Sequence, residues 1–292
     1  MAGYVGVGDE ENQYTSRVQP FGSTTSPRAE ELKMKDGMKP VRATFRERLG
    51  FEELYSLKVW QASIAELLGT AALVFGIDTI VISSVETETK TPHLVVSVYV
   101  SILISILVVA TAPVSGGHIN PTVTFSAALI GLISFSRAII YILAQCIGAV
   151  LGALALKAVV NSTIENTFSL GGCTLTVVQP GTNPITVGIE TSPALWLEII
   201  CTFVFLFASV SIAFDERRLK AAGPGTVFII IGIINGLMVF ISSTVTTIKG
   251  YTGVGMNPAR CLGPAIVRGG HLWDGHWVFW AGPAISEVAF SC

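Results

Sequence analysis

The sequence predicts an all-α membrane protein in which six transmembrane helices and two re-entrant half-helices form an inverted repeat. Three observations support this fold class: long apolar segments, a low charge content outside the N-terminal region, and a set of motifs that occurs twice. Of the 292 residues, 51% are hydrophobic and 13% are charged, whereas soluble domains carry about 25% charged residues. This composition excludes a disordered chain and a nucleic-acid-binding protein, and it favours lipid as the solvent for most of the chain.

The charged residues are concentrated near the N-terminus. Residues 1–58 hold 9 of the 18 Lys and Arg residues and 9 of the 20 Asp and Glu residues. No basic region leads into an apolar core there, so we predict a disordered N-terminal tail and not a signal peptide. The positive-inside rule places this tail and the basic loop 215–222 in the cytoplasm. Residues 59–292 are predicted to form the membrane domain.

The predicted membrane domain contains five apolar segments that are long enough to cross a hydrocarbon core, which requires about 20 helical residues. They lie near 59–84, 93–112, 135–159, 194–214 and 224–245. A sixth segment begins at His276, and its remaining residues would span only about 26 Å as a helix. Because Glu287 also lies inside it, we expect this last span to be truncated or defective. Gly148 and Gly152 predict a close contact between helices.

Two shorter apolar segments, 113–133 and 250–270, are interrupted by Gly and Pro and are too short to cross the membrane. Their central motifs are Asn120-Pro121-Thr122 and Asn257-Pro258-Ala259. Asn is a favoured N-cap and Pro is favoured at the first helical position, so each motif is predicted to begin a half-helix. Irregular backbone at membrane depth is tolerated where it packs in protein or lines a water-filled cavity, which indicates a polar interior.

The chain also repeats itself, over about 59–159 and again over about 194–292. Glu66 and Glu198 occupy matching positions, and the Asn of an Asn-Pro pair follows them after 54 and 59 residues respectively. A unit of three spans is odd, so the second copy must enter the membrane from the opposite side. Such inverted repeats place a pathway at the interface of the two halves, where the positive ends of both half-helices would meet and repel cations.

The two intramembrane glutamates have two interpretations. They could carry protons in a coupled transporter, because charges inside a span usually have a function or a partner. Alternatively, each could accept hydrogen bonds from the backbone N–H groups of a re-entrant loop, and their symmetric placement favours this support role. Asp78 has no counterpart in the second repeat, and the sequence predicts no role for it. Arg260, in the first turn of a half-helix, meets an unfavourable dipole and requires compensation.

Five scattered cysteines do not predict a disulfide scaffold, and Cys behaves as a small hydrophobe in apolar segments. No Cys and His spacing typical of a zinc site occurs, and no cofactor or metal is predicted. Since no nucleophile and base pair lies at membrane depth, we do not expect an enzyme.

Three motifs make the chain resemble an aquaporin of the major intrinsic protein family: Ala65 to Thr70, Ser115 to Pro121 and Thr252 to Arg260. Within plants, the chain is most similar to the X intrinsic proteins. Three features carry this similarity: Cys261 directly after Asn257-Pro258-Ala259-Arg260, the altered first motif with Thr122 in place of Ala, and the segment Leu170 to Cys173. The resemblance implies six tilted helices around two half-helices, a homotetramer with one pore per subunit, and a plasma-membrane location.

The resemblance also implies a narrow outer constriction, a selectivity filter with four positions. Spacings relative to each Asn place these positions at Val100, Val245, Val254 and Arg260. Three valines would leave a wide apolar ring with one charged donor. We therefore expect a passive channel that conducts glycerol, urea, boric acid or hydrogen peroxide and some water, and excludes protons and ions.

Two other classes of function stay open at this point. A coupled secondary transporter would also use inverted repeats and broken helices, but would need titratable groups facing its pathway. A non-conducting structural membrane protein is compatible with the short last span. In each case the expected partner is the lipid bilayer, and the channel would add small neutral solutes.

Overall fold

The structure, a computed structural model, describes residues 48–179, 185–213, 221–246 and 248–292. Its helices are α1 Leu57–Glu86, α2 Pro92–Ser115, half-helix α3 Pro121–Leu129, α4 Phe135–Val159, α5 Ser162–Thr167, α6 Thr191–Ala213, α7 Pro224–Val245, half-helix α8 Pro258–Arg268 and α9 Val278–Ser291. Within the described residues, five helices (α1, α2, α4, α6 and α7) are long and apolar enough to cross a membrane. The predicted helical fold is confirmed.

Shorter elements connect these helices. The 3-10 helices are Phe51–Tyr55, Ser169–Gly171 and Gly270–Trp273. Strands β1 Thr176–Gln179 and β2 Ile185–Gly188 pair antiparallel, with Thr176 opposite Gly188. Most of the predicted N-terminal tail, residues 1–47, lies outside the described residues, as does 214–220, which holds most of the basic loop.

The predicted boundary of the tail at residue 58 is too late. The 3-10 helix begins at Phe51, and α1 begins at Leu57. Glu53 accepts a hydrogen bond from the Ser134 hydroxyl at 2.7 Å and pairs with Arg137 Nε at 2.9 Å. A charge that looks solvated in the sequence thus ties the segment before α1 to the start of α4.

The helices pack as two copies related by inversion. The first copy runs from α1 to α4 and the second from α6 to α9. Helix α1 packs on α4, and α6 packs on α9. Each half-helix also packs on the last helix of the other copy, α8 on α4 and α3 on α9, while α2 and α7 pack on each other. This exchange brings the two half-helices to the centre of the molecule.

Two glycines of α4 permit the close packing of α1 on α4. A Cβ atom at Gly148 would clash with the carbonyl oxygen of Leu67, and one at Gly152 would clash with that of Ala71. The predicted close helix contact is therefore confirmed. These two contacts fix the face of α1 that carries Glu66 toward the interior.

Helix α9 is 14 residues long and begins at Val278, two residues after the predicted start of the sixth span. Glu287 is 5% exposed, so its carboxyl group is buried in protein and does not face lipid. The neighbouring Ser286 hydroxyl donates to the Ile199 carbonyl oxygen at 2.7 Å, which joins α9 to α6. The carboxyl group inside this span is therefore packed against the other helices.

Polarity is distributed as expected for a protein in lipid. Glu66, Gln145 and Glu198 are fully buried, whereas Leu68 and Ile139 are about 60% exposed. Polar side chains inside a membrane protein normally face the bundle interior, where they find partners. A functional site is therefore expected in the interior of the bundle.

Candidate functional site

Both half-helices begin at the predicted Asn-Pro pairs. Asn120 Oδ1 accepts from the Thr122 N–H at 2.8 Å, and Asn257 Oδ1 accepts from the Arg260 N–H at 3.3 Å. Pro121 and Pro258 occupy the first helical positions, where a missing N–H has no cost. The predicted N-caps are confirmed.

The tips of the two half-helices are in direct contact. Asn120 Nδ2 donates to the Met256 carbonyl oxygen at 3.0 Å, and Asn257 Nδ2 donates to the Ile119 carbonyl oxygen at 3.0 Å. Each amide thus bonds to the residue that precedes the opposite Asn. Because an amide NH₂ group has two donors, each asparagine retains one N–H for another acceptor. The positive ends of both helix dipoles meet at this contact.

The backbone before each Asn adopts an uncommon conformation. Ile119 and Met256 have φ values of 40° and 51°, in the left-handed region. Such a conformation costs about 1–3 kcal/mol in a residue other than Gly and persists where surrounding contacts impose it. At both positions the carbonyl oxygen accepts from the opposite Asn, so the reciprocal bonds hold the strained turns in place.

Glu66 supports the loop before α3. Its Oε1 accepts from the His118 N–H at 3.0 Å and from the Ser115 hydroxyl, and its Oε2 accepts from the Ile119 N–H at 2.6 Å. Gln145 Nε2 adds a fourth hydrogen bond at 2.8 Å. The buried carboxylate thus has four hydrogen-bond donors. In turn it gives an acceptor to two backbone N–H groups that form no hydrogen bond within a helix.

Glu198 holds the equivalent loop before α8 with fewer bonds. It accepts from the backbone N–H groups of Gly255 and Met256, the latter at 3.2 Å. Within the described residues, neither Glu198 nor Glu66 lines one of the two central cavities. This geometry suits loop support, whereas a proton carrier would have to face the pathway.

Two cavities adjoin the contact between the half-helix tips. The inner cavity is lined by Asn120, Asn257, His118 and Ser209 among others, and the outer cavity by Val100, Val239, Val254 and Arg260 among others. Four residues line both cavities: Leu73, Ile104, Asn235 and Asn257. We call these four residues the junction. The two cavities therefore meet beside the Asn-Pro motifs.

Three of the four predicted filter residues are brought together. Val100, Val254 and Arg260 all line the outer cavity. The placement of Val245 is wrong: this side chain, at the end of α7, is 61% exposed and lines neither cavity within the described residues.

Helix α7 contributes residues before its last turn to the outer cavity. Val239 lines that cavity, and Ser242 Oγ accepts from the Val254 N–H at 3.1 Å. Val245 follows Ser242 by three residues and is the last residue of α7, so its side chain lies beyond the part of the helix that lines the cavity. The prediction counted back from Asn257 with a fixed length for the connection between α7 and the motif, which placed the filter position too far along α7.

Arg260 is held on the wall of the outer cavity by groups from distant parts of the chain. Its Nη2 donates to the Gly171 carbonyl oxygen at 2.9 Å, and its Nη1 donates to Cys173 Sγ. Asp78 Oδ1 lies 3.3 Å from Nη2 and forms an ion pair with it. The Asp78 carboxylate supplies the compensation that a cation at a helix N-terminus requires, and it gives this acidic residue a role that the sequence did not predict.

A disulfide joins Cys173 to Cys261, with a Cα–Cα distance of 5.1 Å and a sequence separation of 88. This bond was not predicted from the sequence, because the five cysteines are scattered and most lie in apolar segments, where Cys behaves as a small hydrophobe. One signal was present, since each cysteine ends a motif on which the family resemblance rests. The disulfide attaches the outer loop, the segment that connects α5 to α6, to α8 directly beside Arg260.

The outer loop reaches α1 through a tight turn. Ser169, Leu170 and Gly171 all have positive φ, and a Cβ atom at Gly171 would clash with Asp78. Ser169 Oγ lies 2.7 Å from His271 Nε2, which joins the turn to the segment after α8. Burial and the nearby Arg268 charge lower the pKa of His271, so the imidazole is neutral at pH 7.

Comparison with known proteins agrees with this geometry. Residues 53–290 match the family described as "Major intrinsic protein". The chain is 36% identical over 285 residues to "Aquaporin PIP1-1" from Arabidopsis thaliana, covering 95% of this chain and 89% of that protein. It is 34% identical over 281 residues to "Aquaporin PIP1-2" from Musa acuminata subsp. malaccensis, with the same coverages.

The fold is also similar to the X-ray structure of the aquaglyceroporin from Plasmodium falciparum. The TM-score is 0.63 and the sequence identity 20%, with 80% of this chain and 94% of that chain covered. At this identity the likeness concerns the fold alone.

Proposed function

Because this chain belongs to the major intrinsic protein family, whose members are membrane channels and not enzymes, we propose that it conducts small uncharged solutes and some water passively. The proposed solutes are glycerol, urea, boric acid and hydrogen peroxide. The observation that carries the proposal is the wall of the outer cavity, where Val100, Val239 and Val254 accompany one cation, Arg260.

The apolar side chains of this wall favour solutes over water. A water molecule that enters an apolar constriction exchanges hydrogen bonds for contacts that provide none, which costs about 1–3 kcal/mol for each unsatisfied group. A polyol or a small amide keeps its apolar surface against valine while Arg260 donates to its oxygen. Solutes wider than water therefore gain contacts, and the proposed water flux is modest.

Ion exclusion follows from the half-helix tips. Each N-terminus contributes roughly half a positive charge, and the remaining N–H of Asn120 and of Asn257 offers only donors. A water whose oxygen accepts from these donors does not pass a proton along the file. Arg260 adds a second positive charge on the outer side, which is an electrostatic barrier for cations.

A coupled transporter is less well supported. Such a protein would use titratable groups exposed to its pathway, but Glu66 and Glu198 are committed to loop N–H groups and Asp78 pairs with Arg260. A non-conducting structural role is opposed by the two cavities that meet at the junction.

Several properties of the working channel belong to the same proposal. The protein is an integral membrane protein, and we place it in the plasma membrane as a homotetramer with a cytoplasmic N-terminus. We also propose that the membrane domain comprises the two repeats described above and that the chain is related to the X intrinsic proteins of plants.

Stopped-flow light scattering on proteoliposomes tests the proposal. We expect glycerol and urea permeabilities well above those of empty liposomes, with no requirement for a proton gradient and no ion current. Solute uptake that depends on a proton gradient would support the coupled transporter instead. Permeabilities equal to those of empty liposomes would support the structural role.

The corrected filter has a matched pair of variants. Val254→Phe places a large ring in the outer cavity, and crowding of about 1–3 kcal/mol corresponds to a glycerol permeability lowered about tenfold. Val245→Phe adds the same ring at a position that is 61% exposed and lines neither cavity among the described residues, so its permeability should equal that of the wild type. Equal losses in both variants would contradict the corrected register of α7.

A further inference from the structure

Asn235 occupies the junction between the two cavities, and its amide is not engaged by protein. The residue is 9% exposed and lines both cavities. Within the described residues it makes no hydrogen bond, and its neighbours Leu73 and Ile104 are apolar. A buried polar group without a partner costs about 1–3 kcal/mol, so the partner of this amide must come from the contents of the lumen.

The other two asparagines of this region cannot replace it. Asn120 Oδ1 and Asn257 Oδ1 already accept from the first turns of their half-helices. Each therefore keeps one N–H donor and one lone pair on an oxygen that already accepts a bond within the protein. Asn235 keeps its whole carbonyl oxygen and NH₂ group, so it is the junction side chain whose acceptor oxygen is not engaged by the protein.

The orientation of Asn235 is fixed by the packing of α7 on α2. A Cβ atom at Gly232 would clash with Ser105, and one at Gly236 would clash with Ser101. These glycines, four residues apart, lie on one face of α7 and hold it tightly against α2. Asn235 precedes Gly236 by one residue, so its side chain is directed beside this contact, toward the lumen that Ile104 of α2 also lines.

We propose that Asn235 is a specificity-determining residue that accepts a hydrogen bond from an O–H or N–H group of the passing solute. This inference rests on the proposed function and adds a chemical class to it: small molecules with several hydrogen-bond donors, such as polyols and ureas. These solutes lose their hydration at the junction, where the asparagine oxygens of the two motifs are already engaged by backbone N–H groups. Water depends less on Asn235, because neighbouring waters in the file also accept its hydrogens.

The variant Asn235→Leu removes the amide and keeps the size of the side chain. In proteoliposomes we expect glycerol and urea permeabilities to fall about fivefold, the factor that corresponds to one net hydrogen bond. Water permeability should fall by a smaller factor. The control Ile233→Leu lies on the same helix at a position that is 53% exposed, and it should retain all three permeabilities.

A swapped variant separates this role from a structural one. Asn235→Leu combined with Ile104→Asn moves the amide from α7 to α2, at another residue of the same junction. We expect it to regain glycerol and urea permeability above the single variant, at equal amounts of incorporated protein. A defect in folding would not be repaired by a second polar substitution.

Three results would overturn the inference: unchanged glycerol and urea permeabilities in Asn235→Leu, an equal loss for water and solutes, or no recovery in the swapped variant. A wild-type protein that passes water and no solute would instead overturn the proposed solute range. In that case the inference requires Asn235→Leu to lower water permeability, and an unchanged value would overturn it too.

Discussion

The two repeats of this protein build the same half-helix with different anchors. In the first repeat, Glu66 receives four hydrogen bonds, two of them from side chains. In the second, Glu198 receives two from the backbone, and the Cys173–Cys261 disulfide holds the half-helix from the other side. Each repeat thus uses a carboxylate to hold the loop before its half-helix. The further contacts differ, because the first repeat adds side-chain hydrogen bonds and the second adds a disulfide.

The repeats also contribute differently to the lumen. At the junction, the first repeat supplies Leu73 and Ile104, and the second supplies Asn235 and Asn257. In the outer cavity the charged group, Arg260, also comes from the second repeat. The first repeat holds that charge through Asp78, so the position of a cation from one half depends on a carboxylate of the other.

The largest expected effect is on the anchor of the first loop. Glu66→Leu would leave two buried backbone N–H groups without an acceptor and remove two side-chain hydrogen bonds. At about 1–3 kcal/mol for each buried group, the free energy of unfolding should fall by about 5 kcal/mol or more. We expect little folded protein after detergent extraction. Glu198→Leu should retain more folded protein, because the disulfide still restrains the loop before α8. Gel filtration of heated samples measures the folded fraction, and Glu52→Gln, at an exposed residue, is the control.

If Glu198→Leu loses as much folded protein as Glu66→Leu, or more, the proposed difference between the two repeats is wrong. The disulfide would then add nothing to the stability of the second loop.

The next effect concerns the ion pair that crosses between the repeats. Asp78→Asn leaves the buried Arg260 cation without its carboxylate, and breaking a buried pair costs about 3–5 kcal/mol. Glu53→Gln breaks the pair with Arg137, whose side chains are 26% and 21% exposed, and a pair in contact with solvent contributes about 0–1 kcal/mol. Thermal unfolding of the two variants should therefore differ clearly. Similar stabilities would show that Arg260 is held by Gly171 and Cys173 without need of Asp78.

The smallest of the three effects is expected from the disulfide. Replacing Cys173 and Cys261 together by Ser should lower stability by about 2–4 kcal/mol, and a reductant should bring the wild type to the same unfolding temperature. Cys292→Ser, at an exposed free cysteine, should behave as the wild type. A reductant that changes the double variant as much as the wild type would contradict this role for the bond.

Much of the site was predictable from local patterns. The N-caps at Asn120 and Asn257 follow from residue preferences that act within one helical turn, and the close contact at Gly148 and Gly152 follows from residue size. The placement of Val245 was not predictable in this way, since it depends on the length of the connection between α7 and the second motif. The ion pair of Glu53 with Arg137 and the Cys173–Cys261 disulfide were not predictable from local patterns, because in each case the partners lie more than 80 residues apart in sequence.

The sequence by itself determined the membrane class, the inverted repeat and the two half-helices, because hydrophobicity, periodicity and capping are properties of neighbouring residues. Only the tertiary structure decided which groups face the lumen and which hold them there. Asp78 beside Arg260, the bond between Cys173 and Cys261, and the free amide of Asn235 all depend on how separate helices are rotated against each other. That rotation is set by side-chain packing across the whole bundle, which no single segment encodes.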